Sequence, residues 1–260
     1  MTVSLTIEGG VAEIALDDPA KLNALDATAI AELSQALTDA RAAGVRALLL
    51  RGEGRAFCAG RDISNVDPTT DDARGYLDDV VTPLLRQIAD FPAPTFAAAH
   101  GACLGVGLGL LVATDVVYVA DTAKIGSPFA NLGATLDSGG HALFFERLGA
   151  HRTLDLIYTA ELMSGADAVA AGLFSRVVAA DDLLAFTREK VAHVASGATE
   201  AFLASKALIA RLRDERIGLW TSLAEENKAQ GDLCLTDDYR EGFAAFQQKR
   251  PPVFHGSSAV

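Results

Sequence analysis

The stretch Gly101-Ala102-Cys103-Leu104-Gly105-Val106-Gly107-Leu108-Gly109 follows the short apolar run Thr95-Phe96-Ala97-Ala98-Ala99 and opens into Leu110-Leu111-Val112-Ala113. A second β-branched run, Val116-Val117-Tyr118-Val119-Ala120, comes next. Strand, glycine turn, apolar helix and strand in this order make an α/β unit. A related turn, Phe57-Cys58-Ala59-Gly60-Arg61-Asp62-Ile63, lies behind the aliphatic run Val45 to Leu50 and the breaker Gly52-Glu53-Gly54-Arg55. Turns of this kind free backbone N–H groups where a helix begins, and such amides bind an anion or a developing negative charge. The dinucleotide fingerprint GxGxxG does not fit, because Gly105 to Gly109 lacks its last spacing. Spacing alone leaves a plainer role open, in which the glycines only let backbones approach closely.

Outward from these turns the pattern stays α/β. Val3, Leu5 and Ile7 alternate with polar residues, Gly9-Gly10 turns the chain, and Val11 to Leu16 completes a hairpin. Asp26 is placed to cap a helix carrying Ile30, Leu33 and Leu37, with Gly44 as its stop. Asp71 to Asp90 reads as a further helix, closed by Pro92 and Pro94. From Ser138 onward the pattern is mostly helical, with one strand candidate at Phe174 to Val178 and a loose tail from Pro251 to Val260.

The 260 residues carry 34 acidic against 22 basic side chains, a formal charge of −12. Nucleic acid is an improbable partner for such a surface, since phosphates need clustered cations. Half of the residues are hydrophobic, enough for a large core. The longest apolar run, Ala102 to Thr114, falls short of the roughly 18 residues of a membrane span, so no membrane partner is expected. Met1 to Glu8 does not read as a secretory signal. Cys58, Cys103 and Cys234 form no CxxC pair and have no histidine at ligand spacing. Buried reduced thiols, a cytoplasmic location and no metal are the expectation.

Asn23-Ala24-Leu25, the Phe57 to Ile63 turn, the Gly101 to Gly109 loop with Asp115 behind it, Ala166 to Gly172, and Glu241-Gly242 to Pro252 occur in an order that resembles the enoyl-CoA hydratase/isomerase (crotonase) superfamily. The resemblance implies an α/β fold of repeated ββα units coiled into a spiral over residues 1–195. A C-terminal helical region over 196–260 would build a homotrimer or a dimer of trimers. It implies an acyl-CoA thioester as substrate, coenzyme A being part of that substrate rather than a cofactor. The thioester oxygen would be held by two backbone amides, which fall on Arg61 and Val106. Family members usually have glycine at the second place, so the Val106 side chain is expected to narrow the pocket.

Hydratases of the family use two glutamates, and the matching positions here are Gly109 and Phe129, neither of which can move a proton. Farther along, Asp137-Ser138-Gly139-Gly140 is similar to the loop in which enoyl-CoA and ring-epoxide phenylacetyl-CoA isomerases carry one catalytic carboxylate. Asp137 is therefore the candidate catalyst, since one carboxylate in an apolar pocket suffices to take a proton from one carbon and return it to another. The competing role is a helix N-cap. An isomerase is favoured, with a hydratase or other crotonase-type lyase or hydrolase using an unusual acid and base as the alternative, and a non-catalytic acyl-CoA-binding subunit as a third reading. Chlorobenzoyl-CoA dehalogenase fits poorly, because Val81-Thr82-Pro83 stands where it has a histidine.

His141 lies one helical turn past Asp137 and reads more readily as an interfacial or solvated histidine than as its proton partner. His100 reads as structural, Asp62 as an N-cap shaping its turn, and Trp220 as core or trimer interface. The resemblance places coenzyme A contacts at Lys21, Ala24, Ala59, Ile63, Gly105, Phe129 and Lys249. Arg61 and Arg250 supply further cations for phosphates.

Overall fold

The computed structural model describes residues 1–256. Strand β1 (Val3–Glu8) pairs antiparallel with β2 (Val11–Leu16) as the predicted hairpin, in the register Val3 to Leu16. Asp26 caps α1 (Ala27–Ala42) by accepting the Ala29 amide at 2.8 Å, the favoured N-cap geometry. Behind it β3 (Ala47–Gly52), β4 (Thr95–Ala99), β6 (Val116–Ala120) and β9 (Arg176–Val178) add in parallel to β2, making one sheet in the order β1-β2-β3-β4-β6-β9. Parallel strands buried on both faces read as continuous aliphatic runs, and every residue of β4 is buried.

A second, smaller sheet runs β5 (Ala102–Leu104), β7 (Lys124–Gly126) and β8 (Met163–Ser164). Single bridges, Cys58 to Cys103 and Leu25 to Arg61, extend its edge. The chain thus visits the large sheet, crosses to the small one, returns through a helix and repeats, which produces the ββα spiral. Residues 95–120 show one whole turn: β4, β5, α4 (Val106–Ala113) and β6. Helix α4 is apolar on all sides and almost wholly buried, as such a helix must be. Strands β7 and β8 escape a reading by periodicity because three and two residues show no alternation.

The expected helix over 71–90 differs in kind. It begins as α2 (Ala73–Gly75) on the Asp72 cap, widens into a π-helical stretch at Tyr76–Val81, and continues as α3 (Thr82–Ala89). Pro83 lies just where the π-helical stretch passes into α3, and it brings no N–H to the helical ladder there. The chain then runs through α5 (Gly140–Thr159), α6 (Gly165–Ala170) and α7 (Leu183–Ala195), the last lying across β2, β3, β4 and β6. Helices α8 (Thr199–Asp214), α9 (Leu219–Leu233) and α10 (Asp237–Gln247) form the C-terminal helical region.

The tail is held rather than loose as far as Gly256. Buried Asp238 accepts the His255 and Gly256 amides at 2.9 and 3.0 Å, and Glu241 accepts Val253 N at 2.8 Å. Residues 257–260 lie outside the described residues. Trp220 is 78 % exposed on α9, so the core half of its expected role is excluded. Cys58 and Cys103 are buried free thiols as expected, whereas Cys234 is exposed. No described helix is long and apolar enough to cross a membrane.

Candidate active site

The first donor turn is strapped down on both sides. Phe57 N donates to His100 O at 2.7 Å, and Cys58 exchanges bonds with Ala102 and Leu104 on β5. On the opposite side Leu25 N donates to Gly60 O at 2.7 Å and Asp62 N to Leu25 O at 2.9 Å. That parallel bridge turns the N–H of Arg61 away from Leu25, and it meets no acceptor among the described residues. The second turn is set by Gly105, the N-cap of α4 at φ 53° and ψ −121°, a backbone that an L side chain rarely adopts. Val106 follows as the first helical residue, and its amide also lacks an acceptor among the described residues. The two turns touch: a Cβ on Gly60 would stand 3.5 Å from Val106 N. The unpaired amides of Arg61 and Val106 therefore lie on two touching turns, an arrangement suited to an oxyanion site. The Val106 side chain is 2 % exposed and packs in the main core, which corrects the expectation that it narrows the pocket.

Gly109, one turn farther along α4, faces the loop before α5. A Cβ at 109 would stand 2.5 Å from Ser138 Cβ, so no longer side chain fits there. Ser138 is held at φ 52° in that contact, and its Oγ donates to Asp137 Oδ1 at 2.7 Å. The loop bearing Asp137 thus fills the space that a glutamate on α4 would need. Asp137 is half-buried, and burial pushes its carboxyl above the ordinary range, against the lowering effect of the Ser138 hydroxyl and the charge of His141. Its carboxylate does not cap α5: the N-cap is Gly139, with no side-chain bond, and only the Asp137 carbonyl engages the helix start, through Gly140 N at 2.9 Å. His141 is exposed and makes no hydrogen bond with Asp137. Phe129 is half-buried, with its ring against Gly105: a Cβ there would stand 3.0 Å from Phe129 Cζ.

One residue that the pattern did not single out belongs here. The Arg61 guanidinium lies 4.1 Å from the centroid of the Tyr76 ring, and the Tyr76 hydroxyl is buried without a partner among the described residues. Within a helical pattern Tyr76 reads as one more apolar position, and the π-helical stretch it opens leaves no mark in sequence.

The enoyl-CoA hydratase/isomerase family profile matches residues 6–257. A Rhodobacter capsulatus protein named "Probable enoyl-CoA hydratase" is 37 % identical over 256 residues, covering 98 % of both chains. The chain belongs to the enoyl-CoA hydratase/isomerase family. An Escherichia coli family member named 1,2-epoxyphenylacetyl-CoA isomerase is 34 % identical over 256 residues, covering 96 % of this chain and 97 % of its own. The crystal structure of a Bacillus anthracis enoyl-CoA hydratase superposes with a TM-score of 0.89 at 28 % identity, covering 99 % of this chain and all of that one. The fold of the family is accordingly the fold of this enzyme.

Several of the residues that the enoyl-CoA hydratase/isomerase resemblance assigned to coenzyme A already have partners. Lys21 pairs with Asp62 at 2.7 Å, although half of its side chain stays exposed. Asp62 caps no helix; it accepts Ser64 N and Oγ in a local turn, and Lys21 holds its carboxyl well below the usual range. The Arg61 guanidinium is bidentate to Asp71 at 2.7 and 2.9 Å, and Arg250 is bidentate to Glu241. Neither is the free phosphate cation that the sequence suggested. Lys249, exposed beyond α10, has no carboxylate partner among the described residues. The Ala59 amide goes to Leu22 O, while the Ala24 and Ala59 carbonyls and the Ile63 amide have no partner among the described residues. Ile63 is 52 % exposed. His100 is structural, its Nε2 lying 2.9 Å from Gly54 O.

Proposed function

We propose that this family member shifts a proton within an acyl-CoA thioester, moving the double bond between the 3- and 2-enoyl positions or rearranging a related thioester. The Arg61 and Val106 amides receive the thioester oxygen as the enolate forms. Asp137 removes the proton from one carbon and returns it to another. The observation that carries this reading is the contact of Gly109 with Ser138. It leaves no room for a hydratase-type glutamate on α4 and brings the Asp137 loop to that place. Phe129 supplies an apolar wall where the second glutamate would stand. A carboxyl raised by burial is a better base than an ordinary aspartate, because its pKa lies closer to the pH at which the protein works.

Hydratase is the commoner name among the relatives, which favours water addition as the second reading. Incubating the protein with 3-enoyl- and 2-enoyl-CoA in deuterated water separates the two. The isomerase reading expects exchange at the α- and γ-carbons that drops about 10²–10⁴-fold in Asp137→Asn, the range for a lost general base. Water addition that survives that substitution would sink it. Tight binding with no exchange would identify a non-catalytic acyl-CoA binder.

A further inference from the structure

Tyr76 and Thr153 hold the two buried side-chain oxygens without a hydrogen-bond partner among the described residues. Thr153 sits within α5, whereas Tyr76 stands at the donor turn. A buried hydroxyl left unpaired costs about 1–3 kcal/mol, and such groups in native structures call for an explanation. Its surroundings are fixed from several sides. Asp71 locks the Arg61 guanidinium with two bonds, and the guanidinium lies over the phenol ring at 4.1 Å. The ring is thereby oriented by the residue whose own amide is the first oxyanion donor. Burial, with the Asp137 and Asp71 charges adding to it, pushes the phenol up to about 12 against the opposing charge of Arg61. Tyr76 is thus a neutral donor within electrostatic reach of the candidate base. It opens the π-helical stretch Tyr76–Val81, a deformation found frequently at functional sites.

We infer that Tyr76 is a specificity-determining residue whose hydroxyl donates a hydrogen bond to a neutral oxygen on the acyl group, near the carbons that Asp137 serves. This rests on the acyl-CoA reading above and narrows it to acyl groups carrying an oxygen beyond the thioester carbonyl. A hydrocarbon chain would leave the phenol unpaired, and a site built to bond an oxygen discriminates against the analogue lacking it. A neutral oxygen is preferred to a carboxylate because Asp71 already neutralises Arg61 and Asp137 adds negative charge.

The test uses matched ligands that cannot isomerise: pentanoyl-CoA, and its isosteres ethoxyacetyl-CoA and 3-methoxypropanoyl-CoA, in which an ether oxygen replaces one methylene. Dissociation constants are measured by calorimetry on the wild-type protein and on Tyr76→Phe. At least one ether is expected to bind about tenfold tighter than pentanoyl-CoA to the wild type, the effect of one good hydrogen bond. That preference should vanish in Tyr76→Phe. An ether-to-alkyl ratio that is the same in both proteins, or no ether preference in the wild type, overturns the inference while leaving acyl-CoA binding intact. Failure of all three ligands to bind overturns the acyl-CoA reading and the inference together. Unliganded Tyr76→Phe should also melt no lower than the wild type, since it removes an unpaired hydroxyl; a clear fall in Tm would show that the hydroxyl is satisfied within the protein and would count against the inference.

Discussion

Asp137, the base of the proposed mechanism, is held by the fold at a cost in stability. Its folded-state pKa lies above the unfolded value, so between the two the folded protein binds more protons than the unfolded chain. Stability contributed by the protonated form is present at acid pH and is lost as pH rises through the raised pKa. Asp137→Asn should therefore melt at least as high as the wild type at pH 7, with the difference shrinking as the pH falls into the carboxylate range, as calorimetry across a pH series would show. An Asn variant less stable than the wild type at pH 7 would mean that the carboxylate is stabilised by the fold. Asp137 was legible as a candidate through the resemblance of Asp137-Ser138-Gly139-Gly140 to the loops of family isomerases and through the absence of acids at 109 and 129. Its freedom from capping duty was not, because Asp before a helix has the same appearance in either role. Tyr76 was illegible for a related reason: an unpaired hydroxyl is a property of neighbours.

Helix α4 and the loop before α5 form one working element. Their contact at Gly109 and Ser138 is so close that even a methyl group at 109 must displace the loop. Gly109→Ala is expected to cost about 1–3 kcal/mol, the usual penalty for overpacking. It should also lower kcat by up to roughly 10²-fold, since displacing a catalytic group by about 1 Å has that effect. Urea denaturation and exchange kinetics on the same variant check both, and wild-type values for the two would refute the packing argument. The first donor turn depends on its neighbours in the same way: buried Asn23 donates to Glu53 O and Ala56 O at 2.9 and 2.7 Å and accepts Asp18 N at 2.9 Å. Asn23-Ala24-Leu25 was recognisable as a motif, but its task of fastening the loop to the start of the turn comes only from the fold.

Across the whole molecule, Arg46 ties the sheet to the C-terminal region. It donates to Gly197 O at 2.5 Å, to Phe254 O at 2.8 Å and to Thr199 Oγ1 at 3.3 Å, joining positions more than 150 residues apart. Arg46→Ala should cost about 2–3 kcal/mol, because hydrogen bonds from a charged donor are the stronger kind and its carbonyl partners would lose theirs. It should also expose the tail to limited proteolysis; an unchanged urea midpoint and digestion pattern would rule the clasp out. A surface of −12 made local cations a requirement for any polyanionic substrate, and the fold assigns Arg61 and Arg250 to internal carboxylates. By itself the sequence determined the α/β class, the hairpin and the two glycine turns, because periodicity, capping and steric freedom act over a few neighbouring residues, while the candidate carboxylate came from the resemblance of its loop to those of family isomerases. Tertiary structure alone decided that the turns carrying the Arg61 and Val106 amides touch, that the Asp137 loop excludes a side chain at 109, and which charges are already paired. Those facts depend on distances between residues far apart in the chain, and such distances exist only once the two sheets have packed.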